Sequence, residues 1–247
     1  MNKLVAENKA NWKDLYKIGG VAAIIAAVLL IIEIIVFAAW PLPNTVIGYF
    51  NIFRSNKLVG LIDFYLLEFF AYVLFVPIFI AIYAALKRIN QSYMIIAIVL
   101  AIIGIAVFLA TNNPFSMLSL NNQYLAATSE AQKSMLLATG QMLLVNTNQR
   151  AMGGFNMGFL LLSVAGLIYS IVMLQSNIFS KKIAYLGVLN FAISIADYFR
   201  IILLPSETTL LLVIAIVSGL LFIIWLILVG GRLFQLSYGI SEEIGEF

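Results

Sequence analysis

The chain reads as an all-α, polytopic membrane protein with six transmembrane helices. Both termini are expected in the cytoplasm, with an amphipathic helix on the outer side between helices three and four. Three observations predict this. Of 247 residues, 63% are hydrophobic and only 10% charged, where a soluble domain carries about 25% charge; the mean hydropathy is +1.06. Six apolar stretches each reach or nearly reach the ~20 residues that cross the hydrocarbon core as a helix. The cations between them are unevenly shared, as the positive-inside rule requires.

Helix one covers about residues 18–40, interrupted only by Glu33 and stopped by Pro41 and Pro43, since proline has no N–H to continue the ladder. Helix two covers about 58–86 and holds Asp63, Glu68 and Pro77. Pro77 removes the bond to the Val73 carbonyl, so a kink is expected and Pro77 is the hinge candidate. Helix three runs about 93–110, extending toward 120 through Asn112-Asn113-Pro114. Helices four, five and six cover about 154–174, 183–204 and 208–234.

The connection between helices three and four is too long for a bare loop. Ser129-Glu130-Ala131-Gln132 fits a capping box, and Met135-Leu136-Leu137 recurs as Met142-Leu143-Leu144. An amphipathic helix over about 129–145 is therefore expected, either packed at the interface or folded over the outer mouth as a lid. Residues 1–247 are expected to form a single membrane domain. No cleavable signal peptide is expected, because the polar leader is long and no small-x-small site follows helix one.

Orientation follows from charge. One set of loops and ends holds Lys3, Lys9, Lys13, Lys17, Lys87, Arg88, Lys181, Lys182 and Arg232; the other holds Arg54, Lys57, Lys133 and Arg150. The richer side is cytoplasmic. The net charge of +3 and pI near 9.0 follow this topology, so the lipid bilayer is the expected partner, other membrane subunits fit, and nucleic acid does not.

Cysteine and histidine are both absent. That excludes disulfides, thiol nucleophiles, Cys/His zinc sites and a histidine base. No cofactor is expected, and a metal could be held only by oxygen ligands. GxSxG, Walker and GxGxxG motifs are missing, so an enzyme is not the expected class. Gly60-Leu61-Ile62-Asp63 falls one residue short of the GxGD of intramembrane aspartyl proteases, with Ile62 where glycine is required.

The ionisable groups inside the spans are where function would sit. Each costs at least ~2.5 kcal/mol on insertion scales, so such groups face a bundle interior or a wet cavity. By helix rise, Glu33, Asp63, Glu68, Asp197 and Arg200 all fall near the midplane or in the outer half. Asn190, Ser194, Asp197 and Arg200 share one face of helix five, and Asn112, Ser116, Ser119 and Gln123 repeat the device at the end of helix three. Asp63 and Glu68 lie about 140° apart around a continuous helix, which argues against one narrow site using both.

Two readings of this constellation stand. In one, Asp197 and a carboxylate of helix one or two neutralise Arg200 in a packing network; in the other, the surplus carboxylates line an outward pocket for an ion or polar ligand. The ligand-site candidates are Glu33, Asp63, Glu68, Asn112, Asn190, Asp197 and Arg200. Gly154-Phe155-Asn156-Met157-Gly158 is a GxxxG, expected to serve helix packing within the chain rather than dimerisation.

Three blocks carry a family resemblance: residues 83–90 (YAALKRIN), residues 113–128 (NPFSMLSLNNQYLAAT) and residues 179–187 (FSKKIAYLG). With them, most of residues 15–230 resembles domain-of-unknown-function family 4386, found in bacterial and archaeal membrane proteins. The resemblance implies a six-helix protein of a prokaryotic cell membrane and carries over no catalytic residue. The expected function is to bind or pass a small ion or polar ligand; an accessory subunit of a membrane complex and a lipid-active enzyme are the alternatives.

Overall fold

The computed structural model describes the backbone of residues 2–40, 42–146, 156–203 and 208–239; within these it leaves out the side chains of residues 2–11, 146, 200–202, 208–212 and 215. Among the described residues helices joined by short turns and loops are the regular structure, with no strand. Six helices among them are long and apolar enough to cross a membrane.

Helix α1, Asn2–Ala39, starts well before the predicted residue 18. No proline or glycine interrupts residues 2–18, so the polar leader continues the helix. Its Trp12 ring lies 3.8 Å from Lys87 Nζ, a cation–π contact that ties the leader to the loop after helix α4 (Leu66–Leu86). The next helices depart from expectation. Helix α2, Val46–Ser55, fills a stretch read as loop and is capped by Thr45, whose Oγ1 accepts from the Gly48 N–H at 3.1 Å. Helix α3, Lys57–Asp63, is capped by Asn56, which accepts from the N–H groups of Leu58 and Val59.

The predicted single helix over 58–86 is thus two. Between α3 and α4, Tyr65 adopts φ 68°, ψ 18°, a left-handed conformation that costs a bulky residue about 1–3 kcal/mol. Aromatic packing holds it there. The Phe64 ring is fully buried and edge-on to Tyr49 at 5.4 Å, while the Tyr65 ring stands edge-on to Phe108 at 6.3 Å. A parallel break divides the expected extension of helix three. Helix α5, Gln91–Thr111, ends at Asn112, and α6, Pro114–Ala126, begins with the Asn113 side chain accepting from Phe115 N–H at 2.9 Å. Proline is suited to that first helical position, where no N–H is needed.

Helix α7 is Glu130–Asn146, α8 Met157–Leu174, α9 Lys181–Leu203 and α10 Thr208–Ser237. The six apolar helices close into a ring in which α1, α4, α5, α8, α9 and α10 each pack on the next, and α10 returns to α1. Small residues let backbones touch. A Cβ at Gly158 would fall 2.6 Å from the Gly104 carbonyl oxygen, and one at Gly20 3.1 Å from that of Gly230. Gly158 therefore serves the α5–α8 crossing within the chain, as expected of the GxxxG; Gly154 lies outside the described residues. Aromatics fill the middle, with Phe75 on Phe222 at 5.5 Å, Phe79 on Tyr169 at 5.2 Å and Phe191 on Trp225 at 5.2 Å.

A second, smaller core covers one end of the ring. Tyr49, Phe50 and Phe53 of α2 pack with Phe64, Met117, Leu120, Leu136 and Leu144. The helices α2, α3, α6 and α7 thus form an end layer from the α1–α4 and α5–α8 connections. Gly60 is there for space: a Cβ would stand 2.6 Å from the Phe53 ring. The expected simple amphipathicity of α7 is not what it presents. Leu136 and Leu144 are buried, yet Met135 and Met142 on the opposite face are each 64% exposed, leaving two apolar stripes.

Candidate functional site

Three carboxyl groups converge beneath the end layer. Glu33, on the last turns of α1, is 3% exposed and Asp63, the final residue of α3, is 1% exposed. Glu68, in the first turn of α4, is half-buried. Helix α1 packs on both α3 and α4, and the charges acting on Glu33 are those of Glu68 and then Asp63. Glu33 Oε1 and both carboxyl oxygens of Asp63 are buried without a hydrogen-bond partner among the described residues. No lysine or arginine among the described residues forms an ion pair with Glu33 or Asp63.

This corrects the helical-wheel argument. On a straight helix Asp63 and Glu68 would point apart, but the left-handed turn at Tyr65 stands between them and resets their relation. Both now bear on Glu33. The same break leaves the N-terminus of α4 with no side-chain cap, so its free N–H groups and positive dipole end lie beside Glu68.

The other candidates are elsewhere. Asn190 and Asp197 are buried on α9, 2% and 5% exposed, but α9 packs on α8 and α10 rather than on α1 or α3. The Arg200 side chain, and with it the expected pairing to a helix-one or helix-two carboxylate, lies outside the described residues. Pro77 sits within a continuous α4, on the seam with α1, where a Cβ at Gly19 would be 3.2 Å from its carbonyl oxygen. On α6, Ser116, Ser119 and Gln123 line a separate open groove of about 460 Å³, opposite Thr139 of α7. No group of three acidic side chains among the described residues is disposed to hold a metal ion.

Asn112 belongs to a network that sequence reasoning missed. Asn156 Nδ2 donates to Asn112 Oδ1 at 2.7 Å and to Thr111 Oγ1 at 3.1 Å. Its Oδ1 accepts from Phe159 N–H at 3.2 Å, capping α8, and its carbonyl accepts from Tyr198 OH at 2.9 Å. One buried asparagine therefore ties α5, α8 and α9 together. An asparagine directly before an apolar run signals an N-cap; nothing local signals its distant partners.

No curated protein and no solved structure is significantly similar to the chain. A family match does cover residues 15–230, from the first apolar helix to the last. Six membrane-length helices and a match over most of the chain place it plainly: it belongs to the family described as Domain of unknown function (DUF4386).

Proposed function

We propose that this protein binds a proton among Glu33, Asp63 and Glu68, in the outward half of a prokaryotic cell membrane. The observation that carries this reading is the pair Glu33 and Asp63: two buried carboxyls from different helices, of which Glu33 Oε1 and both Asp63 oxygens have no hydrogen-bond partner among the described residues. Like charges that close, so far out of water, do not all stay bare. A shared proton offsets the repulsion, with the α4 N-terminus adding a partial positive charge. The aromatic filling of the ring favours binding at this level over free passage. Infrared difference spectra of the reconstituted protein test it. A protonated-carboxyl band should vanish on adding alkali, and Glu33→Gln and Asp63→Asn should each weaken it. Spectra that are the same in both variants and the wild type would refute the reading.

In this reading both termini are cytoplasmic and the end layer, with α7, lies outside. Lys133 and Glu130 pair there at 2.9 Å, with side chains 35% and 89% exposed, and the bond holds the Lys133 ammonium above the usual lysine range. So exposed a pair can be lost without harm. Lys133→Cys, in a chain with no other cysteine, should react with an impermeant maleimide in intact cells. Reaction only after lysis would reverse the orientation.

A further inference from the structure

At the end of the ring away from the α2–α7 layer, α10 carries Gly230-Gly231-Arg232, and the two glycines have different surroundings. Gly230 is packed against α1, where a Cβ would lie 3.0 Å from Ala23 Cβ. Around a Cβ at Gly231 there is nothing within 4 Å. That space belongs to a cavity of about 520 Å³ between α10, the start of α9 and the loop joining α8 to α9.

The cavity has two chemistries. Ile183, Ile227 and Leu228 give it an apolar wall, while Asn177, Ser180 and Arg232 stand at its polar end. Arg232 is held in place: Nε donates to the Ile178 carbonyl, and Nη1 to Gln235 Oε1 at 2.9 Å. Among the described residues its Nη2 amino group has no hydrogen-bond partner and no carboxylate pairs with it. The neighbouring Lys181 is turned away, its Nζ donating to the Leu174 and Ser176 carbonyls. Helix α9 starts beside the polar end, where Ser180 Oγ already accepts from the Ile183 N–H at 3.4 Å, and its positive dipole end adds to the guanidinium. A fixed cation with no counter-ion among the described residues, at headgroup level beside an apolar wall, matches an anionic phosphodiester with its acyl chain.

We propose that this cavity is a binding site for an anionic phospholipid, its phosphodiester on Arg232 and an acyl chain along Ile183, Ile227 and Leu228. The full chain in detergent is titrated with phosphatidylglycerol, phosphatidylcholine or inorganic phosphate while its thermal midpoint is followed. Phosphatidylglycerol should raise the midpoint saturably and the other two should not. Gly231→Leu fills the open space with a better helix former, so the lipid-free midpoint should hold or rise. Its affinity for phosphatidylglycerol should nevertheless fall at least about tenfold, and Arg232→Gln should do the same. Unchanged affinity in Gly231→Leu would overturn the proposal, as would equal stabilisation by phosphatidylcholine. Full stabilisation by inorganic phosphate alone would also overturn it, since the site would then serve a free anion.

Discussion

Gly158→Val should cost the α5–α8 pair about 3 kcal/mol or more, the upper range for overpacking a close contact. The reason is what the new side chain meets. A Cβ at Gly158 stands 2.6 Å from the Gly104 carbonyl oxygen and 2.7 Å from the Phe108 amide nitrogen. Both are backbone atoms, so no rotamer change makes room and the helices must separate. Separation also pulls on Asn156, two residues away, whose side chain bridges to α5. Gly219→Ala is the matched control: its Cβ meets nothing within 4 Å, and alanine is favoured over glycine in a helix by about 1 kcal/mol. Thermal unfolding in detergent should show a large drop for the first and no drop for the second. Equal midpoints would mean that α5 and α8 do not cross at these glycines.

Asn156→Ala should destabilise by about 2–3 kcal/mol, combining a lost helix cap with two lost hydrogen bonds to α5 and its end, although Asn112 Oδ1 keeps the Thr111 hydroxyl at 2.8 Å. The side chain is 2% exposed and caps α8 while donating to Thr111 and Asn112. Asn156→Asp separates the two roles. It keeps the cap acceptor but replaces the amide donor with a second acceptor, so it should lose most of the bridge yet retain the α8 start. If Asn156→Asp is as stable as wild type in thermal melts, the bridge to α5 contributes nothing.

Much of the architecture was legible because hydropathy is a local property. A run such as residues 93–110 has no charge to satisfy and too many apolar side chains for anything but a buried or membrane helix. The burial of Glu33, Asp63 and Asp197 was legible for the converse reason, since a carboxylate in a span is pushed inward by its insertion cost. The breaks were harder. Asn113-Pro114 is a visible helix start where the run turns polar, but the helical spacing of Asn112, Ser116, Ser119 and Gln123 drew the reading of helix three on toward 120. The Tyr65 break has no local mark at all, because tyrosine and its apolar neighbours fit a helix well. It exists because Phe64 is buried against Tyr49, a contact supplied by a helix the sequence reading left as loop.

By itself the sequence determined that this is an all-helical chain with six membrane-length spans, that the α9 polar residues lie on one face, and that thiol, histidine and nucleotide-loop chemistry are closed to it. These follow from composition and from periodicity within single helices. Only the tertiary structure decided which buried groups share a place. It put Glu33, Asp63 and Glu68 together, left Asn190 and Asp197 on α9 away from α1 and α3, bound Asn112 to Asn156, and opened a cavity beside Gly231 but not Gly230. Each outcome depends on where one helix crosses another. Crossings are set by glycines and rings meeting across long stretches of chain, and no local pattern records them.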